Sequence, residues 1–532
     1  MFPHRTVLVG LCVLVLLAGC SDTRANPDAT ASGGVPPAKG PLVNDGTFRF
    51  PLAFDPGELD PATNVGMGKQ FPSFAYDSLV AADGNTVVGN LATRWEEGPK
   101  QVVFTIRKGV SCSDGSAVTP SVIADSFDFY RSDKAQDRPF GDVSDWRVRG
   151  DDAAGTVTFT FGHPVGFPVQ SLAYVPVVCG KGLKDRTLLQ RGTSGSGPYV
   201  LTRSVPNDRY LLERREGYTW GPDGASTAET GMPKTIELRV VTDASTAVNM
   251  LLAGDLDGAG LPEAAHDRLG RRARAIPVPS ELGQLVYNNA GNRVTGDPVV
   301  RRALTMAVDR KAMATVAKGE LADNLSFPFT NPCPAPGNRA AIPGHDPAAA
   351  AKLLEDAGWA KGTDGTRVKN GKRLALDVIT ANDFSAEFTA AATLAVKAWR
   401  EIGVDAKNRT LTGNAMLQVI VSSEWDAAPM SALGSLNPAQ LTGVLAGPEP
   451  PKGSNLARIR NPEYDRLAAQ ALAAGSAGAA CDAWNRAERA LYAEGNIFPV
   501  VAGNRYFAMG PHVDFGVNMA GVVATSIRVH RG

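Results

Sequence analysis

Two rhythms of hydrophobic positions alternate along the chain. In "NDGTFRFPLAF", Phe48 and Phe50 alternate with polar residues after a turn at Asp45-Gly46, which predicts a strand with one buried face. "QVVFTIRKGV" has the same character and ends in a turn at Lys108-Gly109. "PYVLTRSVPNDRYLLERREGY" predicts a hairpin, two β-rich runs around Pro206-Asn207-Asp208. "KTIELRVV", "ELGQLVYNNA" and "RLALDVIT" predict further strands, and "DAKNRTL" leads into another. Between them the period lengthens. "SDGSAVTPSVIADSFDFY" predicts a turn and a helix with Thr119 as N-cap and Pro120 in the first turn. "DASTAVNMLLAG" predicts a helix closed by Gly254, and "HDPAAAAKLLEDAGW" one capped by Asp346 with Pro347 next. "AAATLAVKAWREIGV" predicts another, and "DPVVRRALTMAVDRKAMATVAKG" a single amphipathic helix with Val300, Leu304 and Ala307 on one face. Strands alternating with helices define an α/β body, and the texture changes near Glu281, which predicts two α/β lobes.

The N-terminus follows neither rhythm. An apolar run from Val7 to Ala18, preceded by Arg5, is shorter than the ~20 residues a spanning helix needs and has the form of a signal peptide. It ends in Leu17-Ala18-Gly19-Cys20, the lipobox pattern of bacterial lipoproteins, which makes Cys20 the expected lipidation site. The tract that follows is rich in Ser, Gly, Pro, Ala and Asp, as a flexible tether is. The expected division is 1–19 signal peptide and 20–44 tether, then a folded body held at the outer face of a membrane, or in a periplasm where the host has one.

Lys and Arg number 54, as do Asp and Glu, so formal net charge is zero and no basic stripe marks a nucleic-acid partner. Six cysteines are present. With Cys12 in the signal and Cys20 lipidated, Cys112, Cys179, Cys333 and Cys481 remain, an even count that in an exported protein predicts two disulfides. Pairing Cys112–Cys179 and Cys333–Cys481 is simplest, since each bridge stays within one half of the chain.

Chemistry-bearing patterns are sparse. None of His4, His163, His266, His345, His512 and His530 stands three or four residues from another, no CxxC occurs, and no metal or cofactor is expected. "AGDLDGAG" lacks the closing Glu of a calcium loop and predicts a surface turn. "GTSGSGPY" has neither the Lys of a phosphate loop nor the spacing of a nucleophile elbow. These absences point to binding rather than catalysis, with the space between two lobes as the natural site.

Six blocks then resemble, in order, the extracytoplasmic peptide-binding proteins of ABC importers, the family 5 class of dipeptide and oligopeptide receptors. They are "ELDPATNVG", "AYDSLVAADGNTVVGNLATRWE", "FTIRKGVSCSDGSAVTPSVIADSFDF", "GSGPYVLTRSVPNDRYLLERREGY", "DPVVRRALTMAVDRKAM" and "DPAAAAKLLEDAGW". The resemblance runs from about residue 45 to 510. It implies a two-lobed periplasmic-binding-protein (Venus flytrap) fold whose first lobe carries an extra subdomain. Residues 45–281 would form lobe I, 282–497 lobe II, and 498–532 would return to lobe I, with crossings near 282–287 and 498–501. It also implies a monomer that closes on a peptide or peptide-like ligand and delivers it to the subunits of an ABC permease. The ligand-binding residues carried over are Phe54, Tyr287, Asn288, Trp425, Ser431, Gly434, Ser435 and Asn437.

The resemblance fails at one informative place. Peptide receptors of the family carry a segment like "GWGADYPDP", whose first Asp binds the peptide α-amine. Here "PMSALGSLNP" stands there, with Ser431 in place of the Trp and Gly434 at the anchor position. Either Asp426 or Glu424 supplies the carboxylate instead, or the ligand chemistry differs. Metal chelates, sugars and specialised metabolites are the rivals to peptides, and a signalling or assembly lipoprotein is the rival to a transport receptor.

Overall fold

The computed structural model describes residues 38–532, apart from 64–69, 99, 133, 136, 141–142, 329, 382–385, 432–436 and 451. Cys20 and the signal and tether residues before 38 therefore lie outside the described residues, as do Gly434 and Ser435.

The first lobe has two subdomains. In one, Thr47–Leu52 lies beside Thr235–Val240 in parallel, followed by Arg209–Arg214 and Tyr199–Val205 antiparallel, so the anticipated hairpin is present. Phe48, Phe50 and Leu52 turn into a core shared with Val513, Phe515, Val522 and Ile527 from the chain's end. In the other, Ala92–Gly98, Gln101–Ile106, Thr156–Phe161 and Trp146–Asp151 form an antiparallel sheet against the helix Pro120–Tyr130. Phe104, Phe127 and Phe159 meet edge to face in its core. Thr119 caps that helix by accepting the Val122 N–H, and Cys112 is bonded to Cys179.

The second lobe is built on Ala427–Ser431, Ala375–Ala381 and Asp405–Leu411, with helices packed around them. Cys333 is bonded to Cys481 there. Asp297 and Asp346 cap Pro298–Ala307 and Pro347–Asp356 from their side chains. The single helix anticipated from Asp297 onward is in fact two, Pro298–Ala307 and Arg310–Val316. Val308 leaves helical geometry because the Asp309 side chain accepts the Ala312 N–H and starts a new helix.

Two long antiparallel strands, Arg274–Tyr287 and Ile497–Met509, carry the chain between the lobes and lie in one sheet with Gly258–Pro262 and the second-lobe strands, while the two first-lobe sheets stay separate. Ile276, Val278, Phe507 and Met509 belong to a first-lobe core, whereas Leu285–Tyr287 and Ile497–Val501 belong to the second. The crossing thus falls between 279 and 284 and between 502 and 506, a few residues toward the first lobe from the expected positions. Register shifts between Pro279 and Glu281 and between Gly283 and Gln284 interrupt the ladder there, as bulges that let a strand bend do.

The resemblance blocks are mostly fold-holding devices. Asp60 of "ELDP" takes the Arg186 guanidinium on both oxygens, and that guanidinium lies 3.6 Å over the Phe129 ring. Buried Asp77 of "AYDSL" accepts Ser196, Tyr218 and Trp220 at 2.8, 2.9 and 3.0 Å. Burial pushes its carboxyl above the usual range, and these hydrogen bonds partly offset that. The "GSGPY" glycines explain themselves: a Cβ on Gly197 would stand 2.5 Å from the Ala75 carbonyl carbon. Asp257 of "AGDLDGAG" is a tether, accepting the Arg49 backbone N–H at 2.7 Å.

Candidate ligand site beside the crossing strands

A cavity of about 420 Å³ lies on the first-lobe side of the crossing. Its floor is the face of Ile497–Met509 that carries Arg505 and Phe507. Alternation along the strand sends the intervening Tyr506 the other way, where its ring stacks on His266 at 4.0 Å. Phe507 is backed by Phe50, with ring centroids 6.5 Å apart. Phe54 forms a wall and is 49% exposed, high for so large an apolar side chain. The next residue fixes its loop: Asp55 accepts the Gly57 and Asn207 backbone N–H groups and the Tyr210 hydroxyl.

Residues 518–521 complete the cavity. Gln70 holds them by accepting the Val522 N–H at 2.7 Å and donating to the Val522 carbonyl at 3.3 Å. Gly521 sits at φ +116°, and any Cβ there would meet the Gln70 side-chain oxygen. Glycine is required on both counts.

The two lobes touch along a seam. The Asn437 amide donates to the Ser171 hydroxyl at 3.4 Å, and both residues are buried. Gln440 reaches the same hydroxyl and the Pro139 carbonyl, each at 3.5 Å. Phe167 of the first lobe packs against the second-lobe core. Gly166 faces Ala439 so closely that a Cβ would stand 2.8 Å from the alanine methyl.

The sequence-derived ligand residues separate into three groups. Phe54 lines the cavity, and Asn437 stands at the seam. Ser431 is the last residue of Ala427–Ser431 and pairs with Gln284, while Gly434 and Ser435 belong to the segment beyond it. Tyr287, Asn288 and Trp425 are placed as interior residues of the second lobe, away from the cavity lining. Tyr287 is fully buried among Trp399 and Phe498 with its hydroxyl on Thr305. The Asn288 amide donates to the Ser423 and Trp425 carbonyls, and the Trp425 indole donates to the Ile420 carbonyl. They cluster at the start of Ala427–Ser431, about 13 Å of strand from Ser431 at ~3.3 Å per residue.

That same end holds the alternative anchors. Asp426 is buried, bound on both carboxylate oxygens by Arg293 at 2.8 Å, and also accepts the Asp377 N–H at 2.7 Å, so its charge is already paired within the second lobe. Glu424 is on the outer surface next to it. Arg505, Phe507, Gln70 and the 518–521 segment escaped sequence reasoning. An arginine inside the otherwise apolar run "FPVVAGNRYFAM" is the one signal that pointed to them.

This geometry, two α/β lobes joined by crossing strands with a ligand-sized cavity beside the crossing, is that of a two-lobed solute-binding protein. Residues 86–443, about two thirds of the chain, match the family model described as bacterial extracellular solute-binding proteins, family 5. The chain belongs to that family, the solute-binding components of ABC importers. Among relatives, Protein XP55 of Streptomyces lividans is 28% identical over 375 residues, 67% of this chain and 64% of that protein. The oligopeptide-binding protein AppA of Bacillus subtilis is 24% identical over 499 residues, 87% of each chain. A substrate-binding protein from Microbacterium hydrocarbonoxydans, solved with 4-hydroxybenzoate hydrazide, superposes with a TM-score of 0.72 at 26% identity. That match covers 91% of this chain and all of the other. Among the described residues no cluster of His, Cys, Asp or Glu could hold a metal ion, and no helix is long and apolar enough to cross a membrane.

Proposed function

We propose that this chain is a lipid-anchored receptor that captures a peptide or peptide-like ligand between its lobes and hands it to a permease at the outer face of the membrane. The lipobox at Leu17–Cys20 supports the anchor, and the likeness to an oligopeptide-binding relative supports the ligand class. The observation that carries the ligand reading is the fate of the carboxylates. Asp426 is paired with Arg293, and neither Asp nor Glu lines the cavity, so a ligand α-ammonium held there has no anionic partner in the lining. Truncating one side of a buried charge pair costs about 2–5 kcal/mol, so a receptor with such an anchor strongly prefers the free amine. Here free and N-acetylated forms of one peptide bind within about tenfold of each other. Titration calorimetry on matched pairs at fixed salt tests this; a hundredfold preference for the free amine overturns it. A second reading, a small non-peptide ligand, draws on the hydrazide-bound neighbour and on a cavity at the small end of the usual range. Mass spectrometry of what stays bound through purification separates the two. The anchor is tested by Cys20→Ala, which releases the protein to the medium or leaves it unprocessed; wild-type processing and membrane retention refute it.

A further inference from the structure

Phe167 is strained at the place where the lobes meet. Its backbone is left-handed, at φ 53° and ψ 45°. Glycine enters that region freely and Asn or Asp tolerates it, but a bulky side chain there is an outlier. Asn207, Asp223 and Asn370 are of the tolerant types, and Lys318, Ser423, Met430 and Arg458 also have positive φ. Phe167 differs from all seven in two respects. It precedes a proline, and Pro168 pushes the residue before it toward extended geometry. It also packs on the opposite lobe: among the described residues gathered against the second-lobe core, Phe167 is the one that the first lobe supplies. It joins none of the three first-lobe cores.

Two local contacts hold the strained form. The Phe167 carbonyl accepts the Ser171 N–H at 3.0 Å, closing the first turn of Pro168–Ser171. Gly166 seats the backbone against the second lobe, where a Cβ would meet Ala439, Leu472 and Trp484. With the lobes apart the ring loses its apolar partners, and its own bulk and Pro168 favour extended geometry.

We propose that Phe167 is a latch between the lobes: its ring binds the second lobe only while its backbone is left-handed, and parting the lobes returns residue 167 to extended geometry. The assignment rests on the reading of the chain as a receptor that closes, and it names the element that sets how firmly the closed form holds. Ring burial favours the apposed lobes and the backbone opposes them. The latch therefore grips less tightly than an unstrained ring contact, as suits a receptor that must reopen at its permease.

The experiment uses the full-length protein without ligand. Spin labels on Thr160→Cys and Lys397→Cys report from exposed positions, one on each lobe. Pulsed electron paramagnetic resonance reads the distance between them in otherwise wild-type protein, in Phe167→Ala and in Phe167→Gly. The wild-type background shows a lobe-apposed population. F167A lowers the ratio of apposed to parted molecules about fivefold or more, because the ring contact is lost while a Cβ keeps the left-handed strain. F167G recovers about threefold over F167A, since glycine takes left-handed geometry without that cost. Hydrogen exchange at the Ser171 N–H follows the same order, because its acceptor belongs to the residue that changes conformation. A wild-type background without an apposed population, or an F167A ratio equal to it, overturns the proposal. So does F167G no better than F167A, which would mean that the left-handed turn persists in both forms. No ligand takes part, so these failures leave the receptor reading intact, and failure to find a ligand leaves the latch measurable.

Discussion

Glu488 lies 4% exposed in the second lobe, on the helix Ala477–Ala493. Asn324, Asn338 and Tyr492 donate to one carboxylate oxygen, at 2.6, 3.3 and 3.1 Å, and the Leu325 N–H donates to the other at 3.2 Å. Burial raises its pKa above the ordinary 4.5, more than these donors lower it. The folded state therefore holds the proton more firmly than the unfolded chain. The contribution of this proton to stability is full below about pH 4.5 and is lost as pH rises toward the raised value. Glu488→Gln removes that titration, so the stability of wild type relative to the variant declines with rising pH above 4.5. Urea unfolding of both proteins from pH 3.5 to 8 reads the difference; a gap that is flat or widens with pH would show that the hydrogen bonds, not burial, dominate. Little in the sequence around Glu488 marks this, because apart from Tyr492 one helical turn on, its partners Asn338, Leu325 and Asn324 lie 150 residues and more away.

At the level of elements, the crossing strands and the seam control how the lobes meet. The seam is made by short segments: Pro168–Ser171 with its preceding Gly166-Phe167 on one side, and 437–440 on the other. Gly166 leaves no room for a side chain against Ala439. Gly166→Val wedges the seam without touching the cavity lining. If closure strengthens binding, apparent affinity falls in proportion to the lost fraction of lobe-apposed molecules, about tenfold for a tenfold loss. Small-angle scattering should show a larger radius of gyration together with that weaker binding in calorimetry. Unchanged scattering with unchanged affinity would mean that the seam does not control access. Helix caps were legible in advance, because Thr119 and Asp346 act on N–H groups three residues away. The break at Val308 was hidden inside an uninterrupted amphipathic period, since Asp309 on a polar face reads equally well as surface or as a cap.

Across the whole molecule, two disulfides divide between the lobes. Cys112–Cys179 spans 67 residues of the first lobe and Cys333–Cys481 spans 148 residues of the second. In the chain-entropy picture such loops are worth about 4 and 5 kcal/mol. Each core is separate, so loss of one bridge acts on one lobe. The double variant Cys333→Ser/Cys481→Ser lowers the second lobe's unfolding free energy by about 3–5 kcal/mol. Calorimetry then separates a low-temperature transition from an unshifted first-lobe transition. A single transition shifted as a whole would show instead that the crossing strands couple the lobes into one cooperative unit.

The sequence by itself determined the local order. Period-two and helical patterning placed the hairpin, the strands and most helices, an even cysteine count anticipated the bridges, and ordered blocks identified the family. These signals are short-range, since a strand face or a cap is decided by residues within a few positions. Only the tertiary structure decided which residues line the cavity and which are interior. Alternation tells which side chains share a face, not which end of a strand opens on the cleft. That is why Tyr287, Asn288 and Trp425 pass for site residues in the sequence and are interior in the fold. Phe54 and Arg505 become neighbours across one cavity because the last strand returns to the first lobe, and a contact between residues so far apart is made by the packing of whole lobes.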